Sequence, residues 1–458
     1  SAATPLPCLR EAWALIFTVQ RTRFVRSGMG NNMRTLLSGQ VKNLLLGSYL
    51  PLLLLATGPV QAATPEETAR AALARSPVID GHNDVPEQLR ARFGNDFSKF
   101  DFHDMSPTAS QKGGKMHTDL ARLKKGMVGG QFWSVWVTTG QSETEAVREV
   151  TEQIDVVERL VAAYPKELVL AKGADDIEAA FRQRRIASLV GVEGGHSIGS
   201  SLGVLRQLYR AGARYLTITH SKNTPWADSA TDTPKSGGLA PFGVAVIREM
   251  NRLGMLVDLS HVSEKTMMDT LDTTAAPVIF SHSGARAIGS HPRNVPDSVL
   301  ARIKANGGIV MQVFLPDFVS EEVRQWEATR TAEEARAKFL HNGNLDGAAA
   351  AMVAWTAAHP RPHATVAQVA DHIDHIRQVA GIDHIGLGGD FDGMDSVIDG
   401  LEDVSTYPAL FTELARRGYT QADLEKIACR NLLRVLRATE AVAKARASEP
   451  PSNLLFAK

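Results

Sequence analysis

Short apolar runs in this 458-residue sequence end, one after another, in residues able to hold a metal ion. Val78-Ile79-Asp80-Gly81 leads to His82 and Asp84, and the run 187–192 leads to Glu193. The runs 216–219, 256–260 and 278–281 lead to His220, His261 and His282, and 385–389 leads to Asp390. Imidazoles and carboxylates in such a set suit zinc or manganese. In a closed parallel barrel the C-terminal strand ends converge on one mouth, where active sites of that architecture lie. The pattern points to hydrolysis assisted by metal ions.

Each position has a chemical reading and a plainer one. His82 and Asp84 stand two apart in His-Asn-Asp, so on an extended segment both face one cation; the plainer reading is a turn capped by Asp84. Glu193 lies in Gly-Val-Glu-Gly-Gly-His, where flanking glycines leave a carboxylate free to bridge two ions. The apolar run before it argues against an exposed, salt-bridged Glu. His261 and His282 end consecutive apolar runs, and as a pair they are assigned to a second metal. His220 is either a third imidazole ligand or a donor to the oxyanion of a tetrahedral intermediate, with Trp226 and Asp228 in its loop expected to shape the pocket. Asp390 is placed to take a proton from an activated water and deliver it to a leaving amine. Asp392 reads better as a loop cap. Arg293, in His-Pro-Arg-Asn-Val-Pro-Asp, suits two-pronged recognition of a carboxylate, against the alternative of a solvated surface Arg. His196 reads as a supporting residue. His372 and His375 read as flanking the core face of an amphipathic helix. Ser197 and Ser283 lack a base-and-orienter set.

Positioning these residues requires alternating strands and helices. Strand candidates are 77–82, 130–137, 187–193, 215–220, 256–260, 277–281, 308–314 and 384–389, continuous apolar runs of the kind buried on both faces. Helical patterns fall at 142–163, 174–184, 201–211, 240–253, 263–272 and 296–305. The expected fold is α/β, a (β/α)8 TIM barrel, with an open doubly wound sheet as runner-up. Residues 90–120 read as a polar loop and 319–365 as a helical insertion after strand seven, both on the mouth side as a rim or lid.

Lys+Arg and Asp+Glu balance at 50 each, which gives no reason to expect nucleic acid as a partner. Cys8 and Cys429 are the only cysteines, so neither a disulfide framework nor a thiolate zinc site is expected. Arg34 and Lys42 flank the apolar stretch 44–55, and Val60-Gln61-Ala62 has the pattern of a cleavage site. Residues 1–62 are therefore expected to be an upstream segment and signal peptide, with an uncleaved anchor as the alternative and with 1–28 ahead of the start at Met29 or Met33. The hydrolase barrel is expected over 63–458, exported to the periplasm or medium. The tail 438–458 has no apolar run of the lipid-anchor type.

These segments together resemble the membrane dipeptidase family, also called renal dipeptidases, of the amidohydrolase superfamily. The resemblance rests on Val78-Ile79-Asp80-Gly81-His82-Asn83-Asp84, Gly129-Gly130-Gln131-Phe132-Trp133-Ser134-Val135 and Gly191-Val192-Glu193-Gly194-Gly195-His196-Ser197. It rests also on Thr219-His220-Ser221 with Asn223-Thr224-Pro225-Trp226-Ala227-Asp228, on His261-Val262-Ser263 and on Phe280-Ser281-His282-Ser283. Arg293-Asn294-Val295-Pro296-Asp297 and Gly388-Gly389-Asp390-Phe391-Asp392-Gly393 complete it, over about 76 to 437. It implies a dipeptidase with two Zn2+ ions. His82 and Asp84 would hold one, His261 and His282 the other, and Glu193 would bridge them. His220 would polarise the scissile carbonyl, Arg293 would bind the dipeptide's C-terminal carboxylate, and Asp390 would handle the proton of the attacking water. The family accepts D-residues at the C-terminal position, and some members open carbapenem β-lactams. Its mammalian members carry extra cysteines and a glycolipid-anchor signal that this sequence does not match, so a covalent dimer and stable membrane anchoring are not expected to transfer. A second copy of the chain is a candidate partner. The insertion 319–365 is longer than in those relatives.

The same site also suits an N-acyl-D-amino acid or cyclic-amide hydrolase, which a comparison of L,L and L,D dipeptides with N-acyl amino acids would separate. A secreted binding protein that keeps the barrel without catalysis would have lost a ligand or Asp390, and all are present.

Overall fold

The computed structural model describes residues 63–457, so the expected signal segment lies outside the described residues. Among the described residues nine parallel strands are formed: β1 Val78–Asn83, β2 Val128–Trp136, β3 Leu168–Leu170, β4 Ile186–Glu193, β5 Ala213–Thr217, β6 Leu256–Asp258, β7 Val278–Phe280, β8 Ile309–Gln312 and β9 Ile385–Leu387. Their order is β2-β1-β9-β8-β7-β6-β5-β4-β3, and a β2–β4 pairing closes eight of them into a barrel. The fold is the expected (β/α)8 TIM barrel. The ninth strand, β3, was not foreseen. It pairs with Ile186, Ala187 and Ser188 at the lower end of β4, before β5 joins at Val190. Three residues are too short a run to stand out as a strand.

The barrel strands are buried on both faces by their own interior and by the helix ring, which is why they read as unbroken apolar runs. The helices bury a single stripe. Glu143–Ala163 turns Ala146, Val150, Ile154, Val157 and Leu160 inward at helical spacing, and Ser142 caps it by accepting the Glu145 N–H at 3.2 Å. Such a cap contributes about 1 kcal/mol.

The segment 90–120 departs from the expected loop. A helix, Val85–Phe93, starts directly at Asp84, short 3-10 turns follow at Phe97–Lys99 and Ser106–Ser110, and Leu120–Lys125 is helical again. Pro86 in the first turn and a left-handed Gly94 cap mark the first helix at both ends. The insertion after β8, the seventh barrel strand, is helical as expected: Pro316–Val319, Glu321–Leu340 and Leu345–Ala358. No helix among the described residues is long and apolar enough to cross a membrane.

Candidate metal centre and active site

The strand ends bring the candidate residues to one place. His82 is within β1, Glu193 closes β4, and His261, His282 and Asp390 follow β6, β7 and β9 within three residues. Asn83 turns away, donating to Thr118 Oγ1 at 2.8 Å and accepting the Val85 N–H at 3.1 Å, so His82 and Asp84 share the side facing the mouth. His261 and Asp390 hold left-handed backbone, φ +71° and +62°. A non-glycine residue there costs about 1–3 kcal/mol and persists only where its surroundings enforce it.

Glu193 is the hub. Its Oε1 lies 2.8 Å from His261 Nε2, 3.5 Å from His282 Nε2 and 3.6 Å from His220 Nε2. Its Oε2 lies 3.5 Å from His82 Nε2 and accepts from Ser134 Oγ at 3.2 Å. His82 Nε2 is also 3.5 Å from Asp84 Oδ2 and 3.9 Å from Asp390 Oδ1. The two oxygens of one carboxylate thus face two different sets of donors. Three overlapping groups could each hold an ion: His82, Glu193 and His282; Glu193, His220 and His261; His82, Asp84 and Asp390.

The donor atoms fit a metal. Ligand atoms about 2.0–2.1 Å from a tetrahedral zinc stand about 3.3 Å from one another. His261 Nε2 and His282 Nε2 are 3.0 Å apart, and with Glu193 Oε1 they form a triangle of that size. Ser281 Oγ donates to Asp258 Oδ2 at 2.6 Å and so accepts from His282 Nδ1–H at 2.8 Å. That leaves the lone pair of His282 Nε2 aimed at a buried carboxylate, an unfavourable meeting unless a cation lies between.

Burial holds His282 and His261 well below the usual imidazole range, with positive neighbours adding to it, so both are neutral, as ligands must be. Burial also lowers His220. Burial works against charge on His82, but the oxygens of Tyr215, Glu193 and Asp84 hold it well above its ordinary value. Burial would raise Glu193; His82, His220 and the bond from His261 override that and hold it well below. Asp390 is raised well above the carboxylate range by burial, with Asp84 and Glu193 adding to the rise against the opposing pull of His82 and Arg293. A carboxyl with raised proton affinity suits a proton carrier near neutral pH.

Several supporting residues were missed in the sequence. Tyr215 OH lies 2.9 Å from His82 Nδ1, and its ring crosses Gly191, where a Cβ would overlap it. Fully buried Asp258 accepts from Thr217 Oγ1 at 2.5 Å, Ser281 Oγ at 2.6 Å and the N–H groups of Ser260 and Ser281 at 3.1 and 2.8 Å. Fully buried Asp80 accepts from Gly389 N–H at 2.9 Å and Tyr407 OH at 2.6 Å, joining the ends of β1 and β9. Such outer partners fix ring orientation and ligand basicity. Asp258 closes β6 and Asp80 lies inside β1, each a carboxylate within a buried apolar run, which was the signal available. Tyr215 and Tyr407 sit in apolar patterns and carried none.

Arg293 is 3% exposed, lies over the Phe318 ring at 5.3 Å and donates to Ser283 Oγ at 3.4 Å. No carboxylate pairs with it among the described residues, although Asp390 and Glu193 attract it. Burial lowers it to about 10, so it stays charged at neutral pH. The loop that carries it is tied down by His372, which accepts the Ala285 N–H at 2.9 Å and donates to Val319 O at 3.1 Å. His375 meets Asp297 instead, at 2.7 Å. His196 donates from Nε2 to Val137 O, 2.9 Å away, as a supporting residue. Trp226 and Asp228 do not shape the pocket as expected. Trp226 is fully buried, and Asp228 gathers the N–H groups of Lys235, Ser236 and Gly238 to fold the loop. Asp392 accepts the His117 N–H at 2.7 Å, a loop cap as read.

A cleft of about 1200 Å³ reaches the centre from outside, with Asp84, Glu193, Asp390 and Trp136 on its wall; His261, His282 and Arg293 are not on that wall.

Comparison with known proteins gives a consistent answer. The model of the membrane dipeptidase family (peptidase family M19) matches residues 66–450. An uncharacterized dipeptidase of Schizosaccharomyces pombe is 41% identical over 404 residues, covering 85% of this chain and 87% of that protein. Dipeptidase 3 of Rattus norvegicus is 39% identical over 395 residues, covering 85% of this chain and 70% of that one. A metallopeptidase from Rhodobacter sphaeroides, solved with a phosphinate mimic of the dipeptide L-Ala-D-Ala, is 25% identical, with a TM-score of 0.64 over 80% of this chain and 99% of its own.

Proposed function

The chain belongs to the membrane dipeptidase family and is a metal-dependent dipeptidase, and on that premise we propose that it works with two zinc ions and tolerates a D-residue at the C-terminal position. In this reading His82 and Asp84 would hold one ion, His261 and His282 would hold the other, and Glu193 would serve both. The observation that carries it is the division of the Glu193 carboxylate, Oε1 toward His261 and His282 and Oε2 toward His82. Bound there, the ions would supply an activated water near neutral pH and polarise the scissile carbonyl.

The chain's own residues do the rest. Arg293 takes the substrate's free C-terminal carboxylate. A buried guanidinium without an acidic partner is costly by itself, and that cost is relieved when a carboxylate arrives. Fixing that end limits the substrate to dipeptide length, because only a short molecule then lays its amide over Glu193. His220, stacked on His261 at 4.2 Å and neutral, donates from Nε2 to the carbonyl oxygen as negative charge develops there. Asp390 takes the proton of the attacking water and hands it to the departing amine. The phosphinate mimic of L-Ala-D-Ala held by the Rhodobacter relative supports tolerance at the C-terminal position. Export with removal of residues 1–62 is part of the same proposal, and N-terminal sequencing of the secreted protein tests it.

Metal-stripped protein reloaded with zinc and assayed on L-Ala-L-Ala, L-Ala-D-Ala and N-acetyl-D-Ala tests the reading. Activity should reach its plateau at two equivalents of zinc, on both dipeptides and not on the N-acyl compound. A plateau at one equivalent, or a preference for the N-acyl compound, overturns it.

A further inference from the structure

The two ends of the candidate site differ in openness. Arg293 is buried and off the cleft wall, whereas the Asp84–Asp390 side opens into about 1200 Å³ of space. A substrate held by its carboxylate at Arg293 therefore projects its N-terminal residue into that space. The placement rests on the role proposed for Arg293 above.

Two side chains of the cleft wall keep unused polar capacity. Trp136, the last residue of β2, has its ring on the wall, and its buried indole N–H has no partner among the described residues. Glu87 is in the first turn of the helix that starts at Asp84 and is also on the wall. Its carboxylate takes one hydrogen bond, from Gln88 Nε2 at 3.4 Å, and no cation pairs with it among the described residues. Arg90, one turn along, is drawn off by Glu149 at 2.9 Å and Glu152 at 2.8 Å. The basic residues of the same wall are mostly occupied. Arg92 is bound to Gly114 O at 2.9 Å and Thr108 O at 3.3 Å, and Lys115 to Asp403 at 3.0 Å. Asp395 and Glu402 also line the wall without a cationic partner among the described residues, against Lys112 and Arg92, whose hydrogen bonds go to neutral oxygens, so acidic groups still outnumber basic ones there.

We infer that Glu87, on the cleft wall that Trp136 also lines, is a specificity determinant that favours dipeptides whose N-terminal residue carries a cationic side chain. An ammonium or guanidinium at the end of a four-atom stem would form an ion pair with the Glu87 carboxylate, and the Trp136 indole on the same wall offers it a second, cation–π contact. Half-burial strengthens both relative to open water. A carboxylate held on that wall, with Asp84 nearby, likewise disfavours an acidic side chain.

The test is kcat/KM of the zinc-loaded enzyme at pH 7 on Lys-Ala, norleucine-Ala and Glu-Ala: norleucine keeps the four-carbon stem of lysine without its charge, and Glu carries the opposite charge on a shorter stem. The unaltered enzyme should prefer Lys-Ala over norleucine-Ala by about tenfold, the equivalent of about 1.4 kcal/mol. Glu87→Gln should bring that ratio close to one, and Glu87→Lys should raise Glu-Ala above Lys-Ala. A ratio near one in the unaltered enzyme overturns the inference. So does a Glu87→Gln enzyme that slows on all three substrates alike, which would assign Glu87 to the shared α-amino group. Failure to cleave any of the three would instead strike the reading of the site as a whole, and the inference with it.

Discussion

The barrel mouth and the helical hairpin Glu321–Leu340 and Leu345–Ala358 reverse each other's distribution of polar and apolar surface. At the mouth, charged and ionisable groups are buried: His82, Glu193, His282 and Arg293 are at most 4% exposed. On the hairpin, apolar groups are out. Phe339, Leu345 and Val353 are 83%, 81% and 72% exposed, and the second helix buries only Ala348. Its charges pair with one another at the surface, as Arg330 with Glu327 and Lys338 with Glu334 do. Buried polarity is expensive and persists only where the rest of the fold overrides it. Surface ion pairs and exposed apolar residues contribute little to stability. Substitutions in the two regions should therefore separate sharply.

The largest effect is expected at Asp390. Asp390→Asn should lower kcat by about a thousandfold while zinc content stays at the unaltered level, because an amide cannot carry the proton. Turnover and metal analysis on one sample check it, and an active variant would break the contrast. Arg293→Met should reduce kcat/KM for dipeptides by about a hundredfold, equivalent to about 3 kcal/mol, through loss of the carboxylate clamp. Asp258→Ala leaves Ser281 and Thr217 without their acceptor and frees the His282 ring. Zinc affinity should fall by about ten- to a hundredfold in a chelator titration.

A smaller, pH-dependent effect belongs to His372. Burial lowers it to about 4 from 6.5, with Val319 O opposing. Its folded value lies below its unfolded value, so its contribution is neutral above about pH 6.5. As pH falls from there toward 4 the unfolded chain takes up a proton that the folded chain refuses, and stability declines. At pH 5.5 that loss is about 1.4 kcal/mol. Denaturant melts should show a flatter acid limb for His372→Gln than for the unaltered protein. Least of all, Val353→Lys on the hairpin should shift stability by no more than about 0.5 kcal/mol and leave kcat alone. A large change there would mean that the hairpin's exposed face is covered.

Much of the site was legible because strand ends announce themselves. His82, Glu193, His261, His282 and Asp390 each follow an apolar run, and a parallel barrel sends every such end to the same mouth. The boundaries of the helix Glu143–Ala163 were equally plain, since Ser142 precedes a clean apolar stripe. What escaped was polarity hidden in apolar context. Nothing near Tyr215 says that its hydroxyl crosses Gly191 to reach His82, and nothing near Trp226 says that its loop folds away from the cleft rather than over it. The helix beginning at Asp84 was lost among polar residues that read as loop.

Composition, periodicity and ligand types along the chain determined the barrel, the order of its strands and which residues could meet a metal. These follow from local rules: apolar runs bury, and chain direction sets which end of a strand faces the mouth. Only the tertiary structure decided how Glu193 divides its two oxygens, which imidazoles are held neutral and by whom, and that Arg293 stands buried without an acid beside it. Those are properties of distance and solvent exclusion between residues far apart in sequence, and a linear pattern carries no record of either.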